Sequence, residues 1–168
     1  TVSPEDCVIA DDAKVLGLGG VIGGDSTGVS EGTSDVLLEC AWFDPESVAR
    51  TGQRHAVTTD ARQRFERGID PMMLSVSIET AAAMIIELCG GEVSEPVFAG
   101  QFPPDGYPEN PKRVAFAPEM TLRLGGVEIP AQEQRNILGR LGFIAEQEIA
   151  ELPWNLLVPT WRPDIDGW

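Results

Sequence analysis

Gly19-Gly20-Val21-Ile22-Gly23-Gly24, then Asp35-Val36-Leu37-Leu38-Glu39, then Arg64-Phe65-Glu66-Arg67-Gly68-Ile69-Asp70-Pro71 are the segments whose joint reading decides the fold. Glycine pairs on an apolar strand remove side chains where another backbone or a ligand must come close. The structural reading is a bulged strand edge against a neighbouring strand. The functional reading is a pocket wall of exposed amides, suited to a carbonyl or an aromatic ring. A phosphate cradle is excluded, because the segment lacks the Lys-Ser/Thr of a P-loop and the G-x-G-x-x-G spacing. Glu39 closes the apolar run Val36-Leu37-Leu38. Either it reaches solvent or an arginine, or it sits in an apolar cleft and accepts a hydrogen bond from a ligand hydroxyl or amine.

The flanking sequence predicts an α+β unit. Two short apolar runs, Cys7-Val8-Ile9-Ala10 and Val15-Leu16-Gly17-Leu18, are joined by Asp11-Asp12-Ala13-Lys14 and read as a hairpin. The segment from Asp35 to Phe43 reads as a buried strand. Asp44-Pro45 predicts a helix N-terminus, with the helix running to about His55. Thr58 or Thr59 caps a second short helix, which Gly68 ends. Behind Asp70-Pro71, the residues Leu74, Ile78, Ala81, Ala82, Ile85 and Leu88 recur at helical spacing. That long helix is expected to pack on a mixed sheet and to stop at Gly90-Gly91.

Residues 97–112 hold four prolines and two glycines, which excludes a helix or a central strand there. The expected organisation is a first domain over 1–98, a linker over 99–111 and a second domain over 112–168. The second half predicts a strand over Arg113 to Phe116, a helix opened by Pro118, a helix opened by Pro130 and stopped by Gly142, and strands over Phe143 to Glu148 and Asn155 to Pro159. Strand–helix–helix–strand–strand has winged-helix character.

The 168 residues carry a net charge of −15 with 42% hydrophobic residues. Residues 1–100 hold six basic and seventeen acidic residues, the remainder six and ten. Bulk attraction to nucleic acid is therefore excluded, while a local basic patch on an acidic body is not. That patch would be Arg50, Arg54, Arg62, Arg64 and Arg67 with His55. For Arg64 and Arg67 the favoured reading is an ion-pair network with Asp60, Glu66 and Asp70, with phosphate contact as the alternative. His55 reads as a helix C-terminal cation or a polar contact. No apolar run approaches the length of a membrane span. Cys7, Cys40 and Cys89 are unevenly spaced and read as buried, reduced thiols. The start at Thr1 without a charged, apolar leader reads as an excised piece of a longer chain with no secretory signal. Asp164 and Asp166 could share a hard cation, but a solvated turn beside Pro163 is the favoured reading of the residues alone.

Residues from Val8 to about Val97 resemble the later part of the editing (B-three/B-four) domain of the bacterial phenylalanyl-tRNA synthetase beta subunit. The resemblance is carried by Gly-Val-Ile-Gly-Gly, Thr33-x-Asp35-Val-Leu-Leu-Glu39, Phe43-Asp44-Pro45, Thr58-Thr59-Asp60 and Arg-Phe-Glu-Arg-Gly-Ile-Asp. Residues from about Pro111 to Asp166 resemble the following B-five domain, through Leu138-Gly139-x-Leu141-Gly142-Phe143 and Val158-Pro-Thr-Trp-Arg162-Pro-Asp164-Ile165.

That resemblance implies a fragment that contributes to hydrolytic editing of tyrosyl-tRNA(Phe) and to contact with the alpha subunit. Its holoenzyme attaches phenylalanine to tRNA(Phe) using ATP, which the alpha subunit binds, and Mg2+. The implied partners are the alpha subunit, tRNA(Phe), phenylalanine and tyrosine, with no membrane, in the cytoplasm. Alone, the fragment is not expected to aminoacylate. By resemblance Glu39 accepts the tyrosine hydroxyl, Gly23 leaves room for the ring and Thr59 lines the same cleft. No side chain is implied as nucleophile or base. Asp164 matches the first of several acids that hold Mg2+ near the alpha subunit, the others falling beyond Trp168. Two rivals remain, a nucleic-acid-binding winged-helix module and a stand-alone trans-editing factor.

Overall fold

The turn at Asp11 forms as its residues dictate. The Asp11 carboxylate accepts from the amides of Ala13 and Lys14 at 2.8 and 2.7 Å, and the Asp11 amide donates to the Lys14 carbonyl. It joins β1 (Val8–Ala10) to β2 (Val15–Leu18), antiparallel, with Val8 opposite Leu18. A short β3 (Ile22–Gly23) returns along β2 and places Gly23 opposite Gly17. The computed structural model describes residues 1–100, 111–146 and 148–166. The chain divides into two units, Thr1–Val97 and Phe98–Trp168. Most of the proline-rich stretch expected to be a linker lies outside the described residues.

In the first unit Gly19 and Gly20 form the β2–β3 turn instead of a strand edge, and Gly20 takes φ +68°. A Cβ on Gly19 would stand 2.8 Å from Phe43 and 2.9 Å from the Cys7 sulfur. On Gly20 it would meet Val48, Phe43 and Phe65 at 3.0–3.1 Å. The bare backbone thus lets the tilted Phe43–Phe65 pair, 5.4 Å between ring centres, close over the turn. Helix α1 (Pro45–Arg54) starts where the Asp44 carboxylate caps the Ser47 amide, and it buries Val48, Thr51 and Gly52. The buried Thr51 hydroxyl accepts from the Cys7 amide, tying α1 to the entry of β1. Helix α2 (Asp60–Phe65) is capped by Thr59, and Gly68 at φ +85° ends the turn beyond it. The Asp70 side chain caps a 3-10 turn, Pro71–Met73, that leads into α3 (Leu74–Cys89), and Gly90 stops α3 at φ +73°.

The α+β class holds, with several corrections of detail. Both sheets are antiparallel throughout, where a mixed sheet was expected. Residues Asp35 to Phe43 form no strand. Val36 and Trp42 are exposed and Leu37 is 97% exposed, because no described strand lies alongside to pair with this backbone. No residue of helix α3 is fully buried, but its expected inner positions Leu74, Ile78, Ala81, Ala82 and Ile85 are half-buried, and only Leu88 of that stripe is exposed. By length and composition residues Pro71–Cys89 are apolar enough to cross a membrane, where the sequence reading found no run of that length. Cys89 is exposed and the other two thiols are half-buried, not buried.

The second unit follows its expected order. Strand β4 (Arg113–Phe116) leads to α4 (Glu119–Gly125), α5 (Ala131–Arg140), β5 (Ile144–Ala145) and β6 (Trp154–Leu157). The sheet order is β4-β6-β5, and the last two strands are shorter than expected. Trp154, Leu156, Val158 and Phe143 make the core, with Phe116 stacked on Trp154 at 6.0 Å. The buried Gln134 amide donates to the carbonyls of Pro118 and Ile129, so α5 holds both ends of the α4 segment.

A Cβ on Gly24 would stand 2.3 Å from the Leu16 carbonyl oxygen, to which the Gly24 amide itself donates at 2.8 Å. Gly24→Ala must therefore break the β2–β3 contact, and a loss of about 2 kcal/mol is expected as a lowered thermal midpoint. Asp6 supplies a second expectation. The Ser3 amide, His55 and Arg54 hold its carboxyl at about 2, below the ordinary 3.8. A depressed carboxylate contributes stability above its unfolded pKa and loses that contribution as pH falls through the folded value. Stability against urea should therefore decline as pH drops from about 3.8 to about 2. Asp6→Asn should flatten that decline.

Candidate functional site

Thr59 holds the centre of the first unit's glycine-rich face. Its hydroxyl donates to the Val21 carbonyl at 2.6 Å and accepts from the Arg62 amide at 3.1 Å. One side chain thereby caps α2 and fixes Val21, which is buried between the glycine turn and β3. Arg62 completes the support. Its guanidinium lies over Gly52, where a Cβ would fall 2.3 Å away, and donates to the Val57 carbonyl and the Glu66 carboxylate. The sequence reading missed Arg62 as an organising residue. Its signal was the Arg62–Glu66 spacing of four along a helix.

Gly23 ends β3 with its face open, and a Cβ there would meet nothing within 4 Å. That differs from Gly17, Gly19, Gly20 and Gly24, where backbone or side chains crowd the missing group.

Glu39 lies on the unpaired segment and is exposed, not enclosed at the end of a buried strand. Partial burial nevertheless pushes its carboxyl above the usual range. Burial also raises the Cys7 thiol, and Asp44 and Glu39 raise it further. Glu39 is thus in electrostatic reach of the sulfur that covers Gly19. Cys40 is raised in the same way, by burial and then by Glu39. Neither thiol has the cationic surroundings that generate a thiolate nucleophile. The arrangement offers hydrogen bonding and shape rather than covalent catalysis.

The arginine cluster is organised differently from the expectation. Glu66 pairs with Arg62, and the Asp70 carboxylate caps Met72. Among the described residues Asp60 pairs with no arginine. Arg64 and Arg67 make no ion pair among the described residues, which corrects the network expected for them. His55 caps α1 and meets Asp6 at 2.7 Å.

In the second unit Arg162 grips Asp164 with two bonds, 2.8 and 2.9 Å, and Asp164 is held below the usual carboxylate range by that contact. Asp166 pairs with Lys112 instead. The two acids are committed to different cations, and the described residues contain no group of three His, Cys, Asp or Glu side chains able to hold a metal. The donors present here do not fit a Mg2+ site by themselves.

Residues 1–90 match the family model of the B3/4 domain, and residues 114–168 match that of the tRNA synthetase B5 domain. The chain belongs to the bacterial phenylalanine–tRNA ligase beta-subunit family, as a B3/4–B5 segment of it. It is 47% identical over 166 residues to the phenylalanine–tRNA ligase beta subunit of Novosphingobium aromaticivorans, covering 99% of this chain and 20% of that subunit. It is 43% identical to the subunit of Mesorhizobium japonicum, with the same two shares. With the Gluconobacter oxydans subunit it shares 47% identity, over 96% of this chain and 19% of the relative. The chain thus spans about a fifth of the length of these curated relatives.

Two substitutions separate structural from recognition roles. Thr59→Val removes both bonds of the hydroxyl, and a loss of about 1–2 kcal/mol is expected in thermal unfolding. Gly23→Ala enters open space and should change stability by less than about 0.5 kcal/mol.

Proposed function

We propose that this segment supplies part of a hydrolytic editing site for tyrosyl-tRNA(Phe) within a phenylalanine–tRNA ligase. That whole enzyme joins phenylalanine to tRNA(Phe) with ATP and Mg2+ in the cytoplasm, and this segment also contributes to its contact with the alpha subunit. What supports the reading is the match of residues 1–90 to the B3/4 domain, together with the open position at Gly23 and the partly desolvated carboxyl of Glu39 on the neighbouring unpaired segment.

A synthetic pocket shaped for a phenyl ring cannot strongly reject the same ring with one added hydroxyl. A second site that hydrogen-bonds that hydroxyl can. Glu39 accepts from the phenol, and Gly23 leaves the ring its space. Thr59 acts through position: its hydroxyl proton is spent on the Val21 carbonyl and it accepts from the Arg62 amide, so it shapes the wall and has no proton to donate to the ligand. Hydrolysis breaks the ester between the tyrosyl carbonyl and the terminal ribose. Water is the attacking group, and its proton leaves with the released ribose oxygen. Asp164 would join a Mg2+ set completed by residues beyond Trp168. Binding there must first release Asp164 from Arg162.

The test is made in the full heteromeric ligase. Glu39→Ala is expected to slow deacylation of tyrosyl-tRNA(Phe) by roughly 10- to 100-fold, the range of one hydrogen bond to a charged group. Phenylalanine attachment should be unchanged. Equal clearance by parent and variant overturns the role of Glu39. Gly23→Val should slow the same deacylation by filling the ring's space, with the fold retained.

A further inference from the structure

Arg64 and Arg67 are set apart from the other arginines of the first unit. Arg50 has Glu46, Arg54 has Glu5 and Asp6, and Arg62 has Glu66. No carboxylate engages Arg64 or Arg67 among the described residues, although the chain is acidic by fifteen charges. Both are exposed. They border an open concavity of about 510 Å3 along α2 and the turn that follows it, lined by Asp60, Gln63, Arg64, Arg67, Gly68 and Ile69. Gly68 turns the chain there at φ +85°. Asp60 is the single acid on this rim. Glu66, between the two arginines in sequence, is neutralised by Arg62, so the concavity is net positive by one charge.

We infer that Arg64 and Arg67 form a phosphate-contact subsite for the single-stranded 3′ end of a tRNA. Arg64 on α2 and Arg67 in the turn after it line the same concavity, and their guanidiniums can each take a phosphate oxygen pair. The concavity is shallow, polar and open, which suits a running backbone rather than an enclosed small molecule. Gln63 adds an amide for a sugar or phosphate oxygen. The patch stands on α2, whose first residue follows Thr59, so a strand held here is delivered beside the glycine wall. This assignment rests on the editing reading for its choice of RNA.

The experiment uses the full heteromeric ligase and deacylated tRNA(Phe), so that RNA affinity is read apart from hydrolysis. Binding of the Arg64→Gln/Arg67→Gln variant is measured across a salt series. Its affinity should fall on the order of tenfold at low salt. The slope of log affinity against log salt should shrink by about 1.4, two single-strand phosphate contacts. Deacylation of tyrosyl-tRNA should show raised KM with kcat retained, and the Lys/Lys variant should recover part of the slope. An unchanged slope in a variant with the parent's thermal midpoint overturns the assignment. Should the Gln variant unfold, dicarbonyl labelling of arginines in the parent decides. Protection of Arg64 and Arg67 by tRNA supports the subsite, whereas equal labelling, or protection by the alpha subunit alone, overturns it. A parent that binds tRNA through these arginines but leaves tyrosyl-tRNA intact would overturn the editing reading alone.

Discussion

The absence of side chains at Gly19 and Gly20 is the constraint around which the first unit is built. Phe43, Phe65, Val48 and the Cys7 sulfur all approach this turn at distances no Cβ would allow. Three segments remote in sequence therefore meet on one stretch of bare backbone. Val21, immediately after it, is buried, and its carbonyl takes the Thr59 hydroxyl. The turn, α1 and α2 are thus joined by close packing and a few well-placed hydrogen bonds rather than by a large apolar core. So small a core concentrates stability in a few contacts, and a single added methyl group at the turn would disturb several of them.

Among the described residues the same unit leaves two apolar elements incompletely covered. Val36 and Leu37 lie on an extended segment with no neighbouring strand, and α3 fully buries none of its residues. Backbone amides on such a segment are normally paired in a sheet, and a helix of this composition is normally covered. The candidate site sits on the border between the built and unbuilt halves. Thr59 belongs to the hydrogen-bonded part and Gly23 to the open end of β3, while Glu39 belongs to the unpaired segment. Its carboxyl is partly desolvated even so. The chemistry available is recognition, since the nearby thiols are raised and the Thr59 proton is committed to Val21.

The second unit is held by a more usual core, with Trp154 at its centre. Phe116 stacks on one side and the Arg135 guanidinium lies 5.9 Å from the ring centre. Gly142, at φ +88°, brings Trp161 against the backbone, where a Cβ would be 2.4 Å from the ring. That contact positions the segment carrying Arg162 and Asp164. Their bidentate pair then explains why the two neighbouring acids do not converge on one point.

Local chemistry was legible in the residues. The Asp11 turn, the caps at Asp44, Thr59 and Asp70, the stops at Gly68, Gly90 and Gly142, and the element order of the second unit all follow from interactions within a few residues. How completely Asp35 to Phe43 and α3 are covered could not be read that way, because apolar periodicity reports a tendency to be covered and not the extent of the cover. The ion pairs were equally closed to sequence. Arg62, Arg64 and Arg67 are near Glu66 and Asp70 in the chain, yet among the described residues only Arg62 finds a carboxylate. Helix direction and competing caps decided which arginine was paired and which two stayed open. The residue sequence determined where each element starts and stops, through short-range capping and φ preferences. Tertiary structure alone decided which side chains are spent on holding the fold and which remain for a ligand, since that depends on distances between segments that local rules do not contain.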